Sequence, residues 1–361
     1  VIEIPVDVPG GRYCISVGHG LAVALPELFP NWRGARIVVV SSPRIWALHG
    51  RAVGGALRGM GRVQPVMIPE GESRKTLSTL KGLYDAFLEG GLARDGLVVA
   101  LGGGVVGDVA GMAAATYMRG VNLLQLPTTL LAMVDSAIGG KVGVNHPWAK
   151  NLIGAFHQPR GVVVDPLFLR TLPAREVRSG LYEVVKCGII GDADLFAALG
   201  RLSPDPSGWS RVELEGAIAS ACRLKAEVVE KDEREGGLRR VLNLGHTLGH
   251  AFEAATSYRR FAHGEAVGWG LLGAALISRR RGLLPGGPFE AIHQAVERLG
   301  PRPPVSDIPP RRVLDALSKD KKKREGKVPF ILPRGIGRVT IKSDVSRGEI
   351  LGALRALRLA E

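Results

Sequence analysis

The stretch Leu97-Val-Val-Ala-Leu-Gly-Gly-Gly-Val-Val-Gly-Asp108 joins an unbroken apolar run to a glycine loop and then to a second apolar segment. An apolar run of this length, bounded by glycines, reads as a buried strand, and the segment beyond the loop as a buried helix. Gly102, Gly104 and Gly107 satisfy G-x-G-x-x-G at that junction, where small residues let a phosphate approach the first amides of a helix. The same glycines would serve a tight turn in a crowded α/β core, and about 20 residues on, where a ribose-binding acid is expected, the chain reads Leu126-Pro-Thr-Thr129. Residues 97–118 carry one charge but five glycines, so they read as strand, loop and helix, not as a membrane span.

Outward from this stretch, β-rich runs at 37–40, 65–68, 97–101, 122–126 and 162–164 alternate with helical patterns, which argues for a parallel sheet with crossover helices. Between the second and third runs, Ser73 reads as an N-cap. Leu77, Leu80, Tyr84, Phe87 and Leu88 form an apolar face, and Gly90-Gly91 ends the helix. After about residue 175 the apolar residues recur at helical spacing through 177–190, 212–229, 244–255, 266–277 and 289–299. Residues 328–332 and 338–341 flank Pro333-Arg-Gly-Ile-Gly337 as a hairpin, and 345–357 reads as a closing helix. The expected architecture is a Rossmann-like α/β domain with a mostly parallel sheet over residues 1–170, then a mainly α-helical domain over 171–361. Pro166 and Pro173 punctuate the boundary.

A chain of 361 residues, 45% hydrophobic and 23% charged, suits two globular domains. Its net charge of +14 suits an anionic ligand: nucleic acid, a membrane surface, or a phosphorylated or carboxylated small molecule. Nine Phe, five Tyr and five Trp, nowhere alternating with Arg or Lys, disfavour a base-stacking platform and with it nucleic acid. Cys14, Cys187 and Cys222 form no C-x-x-C, so neither a disulfide framework nor a thiolate zinc site is indicated. With no secretory pattern in the first residues, the expectation is a soluble cytoplasmic protein with no membrane partner.

Several groups could carry chemistry. The run from Thr128 to Asn145 sets Asp135 and Lys141 among apolar residues, and Lys150-Asn151 follows; lysines in such surroundings either pair with acids or await an anion. Glu183 and Lys186 stand at i, i+3; on an exposed helix this is a weak ion pair, but here the flanks are apolar. In Asn243-Leu-Gly-His-Thr-Leu-Gly-His250, His246 and His250 share a helix face as metal ligands do, with His263-Gly-Glu265 close behind. Thr247 stands where a zinc protease keeps its glutamate base, which disfavours that class. Glu183 would add an oxygen ligand, and three protein ligands leave a position for substrate. Further basic residues are Arg119, Lys225, Arg239-Arg240 and the run 319–324, which its neighbour Phe330-Ile-Leu332 suggests is a loop held against a core.

Taken together, Gly104-Val-Val-Gly-Asp108, Tyr117-Met-Arg-Gly-Val121, Val134-Asp-Ser-Ala-Ile-Gly-Gly-Lys141, Gly180-Leu-Tyr-Glu-Val-Val-Lys186, Asn243-Leu-Gly-His-Thr-Leu-Gly-His-Ala-Phe-Glu253 and His263-Gly-Glu-Ala-Val267 closely resemble the 3-dehydroquinate synthase family, from about residue 37 to 341. The resemblance implies a homodimeric shikimate-pathway enzyme that uses NAD and a divalent zinc or cobalt ion. It converts a carboxylated sugar phosphate, 3-deoxy-D-arabino-heptulosonate 7-phosphate, to 3-dehydroquinate and phosphate. By resemblance the metal ligands map onto Glu183, His246 and His263, which moves His250 to the substrate side. NAD maps onto Glu70, Gly71, Glu72, Ser73, Arg74, Lys75, Gly104, Val105, Val106, Gly107, Asp108, Thr128, Thr129, Lys141, Lys150, Phe168, Leu169, Arg170 and Thr171. Substrate maps onto Arg119, Asp135, Lys141, Asn151, Lys186, Lys225, Arg239, Asn243, His250 and the Asp320-Lys321-Lys322 segment.

The implied chemistry requires these residue types. Loss of phosphate from C7 needs the C6 proton, which is acidic only while C5 is a ketone. A transient hydride transfer therefore precedes elimination, and re-reduction, ring opening and an intramolecular aldol step follow. One departure stands out: where the family often carries Asp or Asn for the adenosine ribose, this chain has Ser41-Ser42-Pro43. A related sugar-phosphate cyclase or a metal-dependent polyol dehydrogenase would share the metal and NAD, but the dense anion-binding set argues against the dehydrogenase.

Overall fold

A strand buried on both faces needs a cover on each, and helices between parallel strands supply it. The computed structural model describes residues 1–323 and 328–359, leaving aside the side chains of 319–323 and of Leu359. In chain order the first elements are β1 (Ile2–Val8), β2 (Gly11–Val17), α1 (Leu25–Leu28), β3 (Ala35–Ser41), α2 (Pro43–Arg58), β4 (Gly61–Met67) and α3 (Leu77–Glu89). Then come β5 (Leu97–Gly102), α4 (Gly104–Thr116), β6 (Asn122–Pro127), β7 (Lys141–His146), β8 (Ala149–Phe156) and β9 (Gly161–Val164). They are followed by α5 (Ala174–Ile190), α6 (Ala193–Arg201), α7 (Arg211–Lys231), α8 (His246–Ala255), α9 (His263–Arg280) and α10 (Gly286–Arg298). Last are α11 (Pro310–Lys323), β10 (Phe330–Gly335), β11 (Arg338–Lys342) and α12 (Arg347–Leu359). These gather into two compact units, Val1–Pro173 with Arg211–Arg234, and Ala174–Ser210 with Glu235–Glu361.

The first unit is built on a seven-stranded sheet of order β1-β2-β9-β6-β5-β3-β4, antiparallel between β1 and β2 and parallel elsewhere. All five strands expected from the sequence are in it, and β5 is buried along its whole length. Val38, Val98, Val109, Ala113 and Phe87 join one core that ties α3 and α4 to the sheet. The hairpins β1–β2 and β7–β8 have no counterpart in the sequence reading. Along β1 burial alternates, with Glu3, Pro5 and Asp7 outward, so only half its residues are apolar signal.

Two expectations change at α3 and α7. α3 is capped by Thr76, whose Oγ1 accepts from the Thr79 amide at 3.2 Å, while Ser73 lies in a separate short turn, Glu72–Arg74. Residues 212–229, expected in the helical domain, form α7 in the first unit. α7 lies against β1, and the segment is fastened by Glu230 Oε1, which accepts the Asp7 amide at 2.8 Å, and by Glu233 Oε1, which accepts from Gln158 Nε2 at 2.9 Å. Helical periodicity shows that a helix has an apolar face, not what covers it.

The second unit packs α5, α8, α10 and α12 about α9, which is buried along most of its length, and holds the foreseen β10–β11 hairpin. The basic run expected as a loop continues α11 as far as Lys323; the side chains of Lys321 and Lys322, and all of Arg324, lie outside the described residues. Among the described residues no helix is long and apolar enough to cross a membrane.

The cap assignment is testable by substitution. Thr76→Ala is expected to cost about 1 kcal/mol in urea unfolding, and Ser73→Ala to fall within about 0.5 kcal/mol of the parent.

Candidate functional site

Parallel strands deliver their C-terminal ends to one edge of a sheet, where open α/β folds receive ligands. β3, β4, β5, β6 and β9 end at Ser41, Met67, Gly102, Pro127 and Val164. Glu70 to Lys75, Gly104 to Asp108, Thr128, Thr129 and Phe168 to Thr171 all follow such ends. A Cβ on Gly103 would lie 3.1 Å from Thr129 Cγ2, and one on Gly104 3.0 Å from Ser136 Oγ, so glycine keeps open the space at the start of α4. The buried Thr128 Oγ1 and Ser136 Oγ have no hydrogen-bond partner. Orphan hydroxyls beside the first amides of a helix are a donor set that fits a phosphate group. Val106 is buried, which leaves its backbone for such contact. Phe168 is also buried, with its ring edge-on to His49 at 4.8 Å, in a turn (Pro166–Thr171) that Asp165 caps at the Leu167 amide, 3.0 Å.

Lys75, buried behind this edge, contacts Asp108 Oδ2 and Asn151 Oδ1. Burial pushes the Asp108 carboxyl up to about 6; the Lys75 ammonium opposes that rise, and Glu72 and Asp135 add to it. Asn145, given no role in the sequence reading, laces the neighbourhood together. Its Nδ2 donates to Glu72 O at 3.2 Å and Glu72 Oε1 at 2.8 Å, and its Oδ1 accepts the Asn151 amide at 2.8 Å. Asn151 holds φ +53°, a conformation Asn tolerates better than most residues. Lys141 and Lys150 are exposed on the β7–β8 hairpin. Arg119 is exposed in a turn where both it (φ +66°) and Met118 (φ +50°) are left-handed. Asp135, in the π-turn Ala132–Ser136, is met through its carboxylate and its carbonyl by Lys225 of α7.

In the second unit glycines decide how close the helices come. A Cβ on Gly264 would sit 1.9 Å from Ser179 O of α5, and one on Gly270 1.8 Å from Gly245 O at the start of α8. The Gly264 amide also donates to Ser179 Oγ at 2.9 Å. This approach gathers His246 and His263, the first residues of α8 and α9, with His250, so that one ring nitrogen of each lies within 4.8 Å of the others. Glu183 Oε1 is 3.8 Å from His246 Nε2 and from His263 Nε2, and is buried without a hydrogen-bond partner. The other oxygen of Glu183 pairs with Lys186, itself buried.

Tetrahedral zinc with ligand bonds of about 2.1 Å sets its ligand atoms about 3.4 Å apart, so the orphaned carboxylate oxygen, at 3.8 Å from each imidazole, stands within a few tenths of an ångström of the spacing a divalent metal needs. The far ring nitrogens have backing: His246 Nδ1 is 3.2 Å from Leu244 O, and His263 Nδ1 is 3.6 Å from Glu253 Oε1. Such partners fix ring orientation at metal sites. Glu253 had drawn attention only as part of a motif. His250, paired with His246 by spacing alone, is beside it at 5.3 Å between ring centres and is exposed. Arg239 is buried in the turn Leu238–Asn243, and Asn243 Nδ2 donates to Glu235 Oε1 at 2.9 Å. Glu235, which no spacing rule picked out, holds φ +60°.

Models described as 3-dehydroquinate synthase N-terminal and C-terminal match residues 65–179 and 180–323. A 3-dehydroquinate synthase of Nostoc sp. (strain PCC 7120) is 47% identical, over 98% of this chain and 99% of that one. That of Gloeobacter violaceus is 45% identical, over 99% and 100%. Among solved structures, 2-epi-5-epi-valiolone synthase from Streptomyces hygroscopicus subsp. jinggangensis, with NAD+ and Zn2+ bound, superposes with TM-score 0.87 at 29% identity over 98% and 99% of the chains. A 2-deoxy-scyllo-inosose synthase complexed with carbaglucose-6-phosphate, NAD+ and Co2+ does so with TM-score 0.87 at 27% identity, over 98% and 99%. Glycerol dehydrogenase from Schizosaccharomyces pombe shares the fold at 14% identity, TM-score 0.70, over 96% and 88%.

Two outcomes are expected from this geometry. Gly270→Ala should lower both the melting temperature and the zinc affinity read by chelator competition, while Gly216→Ala, on α7 with open space around it, should lower neither. Protonation of Asp108 near pH 6 removes a negative charge beside Lys75. Binding of the anionic dinucleotide NAD, followed by fluorescence titration, should therefore tighten as pH falls through 6, and Asp108→Asn should flatten that inflection.

Proposed function

The chain belongs to the 3-dehydroquinate synthase family, and on that premise we infer that it converts 3-deoxy-D-arabino-heptulosonate 7-phosphate to 3-dehydroquinate and phosphate, as a phosphate-eliminating lyase that needs NAD and zinc or cobalt. The observation that carries this reading is the orphaned oxygen of Glu183 facing His246 and His263. We assign these three residues to the metal. The dinucleotide is assigned to the strand-end loops Glu70 to Lys75, Gly104 to Asp108, Thr128-Thr129 and Phe168 to Thr171, with Lys141 and Lys150.

When bound, NAD supplies a reversible hydride acceptor and the metal supplies Lewis acidity toward substrate hydroxyls. The rest falls to the chain. Lys186 shares the Glu183 carboxylate, so that only one oxygen of it faces the imidazoles. Glu253 and the Leu244 carbonyl hold the His263 and His246 rings from behind. Arg119, Lys141 and Asn151 of the first unit, and Arg239 and Asn243 of the second, are assigned to the anionic and hydroxyl groups of the substrate. Asp135 and Lys225, which pair with each other, are assigned to the substrate alongside them. Lys321 and Lys322 remain assigned to substrate on resemblance. Two groups are candidates to take the C6 proton, His250 and the departing phosphate.

We further infer a homodimer acting in the cytoplasm on this small anion and not on nucleic acid. A related cyclase is the second reading, favoured by the shared fold and the ligands of the two cyclase structures, but the identity to 3-dehydroquinate synthases is far higher.

The test supplies the sugar phosphate, zinc and sub-stoichiometric NAD in one tube. Phosphate and dehydroquinate are expected in equal amounts beyond the NAD supplied, with no build-up of NADH. No phosphate despite bound NAD and zinc would point to another cyclase, and steady NADH from a simple polyol to a dehydrogenase.

A further inference from the structure

A glycine-rich dinucleotide loop commonly works with an acid at the end of the adjoining strand, which takes the ribose hydroxyls. The strand beside β5 on that side is β3, which pairs with β5 on one edge and β4 on the other. Its end carries two serines and no acid. Both side chains are buried, and they point the strand end in two directions. Ser41 Oγ donates to Leu101 O at 2.8 Å, on the last residue before the glycine loop. Ser42 Oγ donates to Glu70 Oε1 at 2.9 Å and accepts the Ile45 amide at 3.4 Å as the N-cap of α2. The missing acid is thus delivered to the end of β3 from the loop after β4. Glu70 is exposed, and its second oxygen makes no hydrogen bond among the described residues.

We propose that Glu70, steadied by Ser42, accepts from the ribose 2′-hydroxyl of the adenosine half of NAD and is the residue that selects NAD against its 2′-phosphorylated counterpart. The proposal rests on the NAD reading above. A carboxylate takes a hydroxyl as donor, whereas a phosphate at the same position brings like charge against it. Arg44 and Arg74 are near the pair in sequence, and a guanidinium at the ribose would favour a phosphate instead. Selectivity is therefore the decisive measurement.

Equilibrium titrations of the whole zinc-loaded chain with NAD, 2′-deoxy-NAD and NADP, read by protein fluorescence, separate the cases. The parent should bind NAD at least about tenfold more tightly than either analogue. Glu70→Gln should lose most of that preference, weakening for NAD by about tenfold while changing little for 2′-deoxy-NAD. Ser42→Ala should give the same pattern at smaller size, with thermal melting as the control for folding. Equal loss of NAD and 2′-deoxy-NAD binding in Glu70→Gln, unchanged NAD binding, or a parent that holds NADP as well as NAD would overturn the proposal. A parent that binds none of the three overturns the NAD reading and this proposal with it.

Discussion

Two backbone carbonyls, those of Ser179 and Gly245, press against α9 where only hydrogen fits. The second unit depends on that constraint. Helix axes normally stand 8–10 Å apart according to the side chains between them, and removing the side chains at Gly264 and Gly270 brings α9 to the near limit against α5 and α8. His246 and His263 begin their helices beside those contacts, and Glu183 sits one turn beyond Ser179 on α5. The residues assigned to the metal are therefore held by rigid elements and not by loops, which is what a metal site needs to keep its geometry.

The first unit uses charge differently. Each buried ammonium lies against a carboxylate: Lys75 with Asp108, Lys225 with Asp135. An isolated buried ammonium would be costly, so pairing is the condition on which these lysines can be buried at all. The exposed cations, Lys141, Lys150 and Arg119, stand on the β7–β8 hairpin and on a left-handed turn. Buried pairs shape the loops, and exposed cations give the surface its sign.

The parallel strands were legible because burial on both faces makes them continuous apolar runs, and α5, α8, α9 and α10 because one apolar face recurs with the helix period. Residue type, spacing and family likeness singled out Glu183, His246 and His263, and the fold brings Glu183 Oε1 to 3.8 Å from both imidazoles. Asn145, Glu235 and Glu253 were not, because a lone polar residue carries no periodic signal and its role lies in whichever neighbour the fold supplies. The cap of α3 was misplaced for a related reason: Ser73 and Thr76 are both good caps, and only the backbone shows where helical dihedrals begin.

Composition, periodicity and motif spacing determined a parallel α/β sheet with a glycine loop, a largely helical second half, a metal-competent set of histidines with one carboxylate, and a net positive charge that suits an anionic ligand, since each follows from local chemistry repeated along the chain. Tertiary structure alone decided that α7 returns to the first unit, that Lys75 faces Asp108, that α9 touches two carbonyls, and that Glu70 is carried to Ser42. Those pairings join residues 25 to 223 positions apart, and no local pattern encodes which distant partner closes a contact.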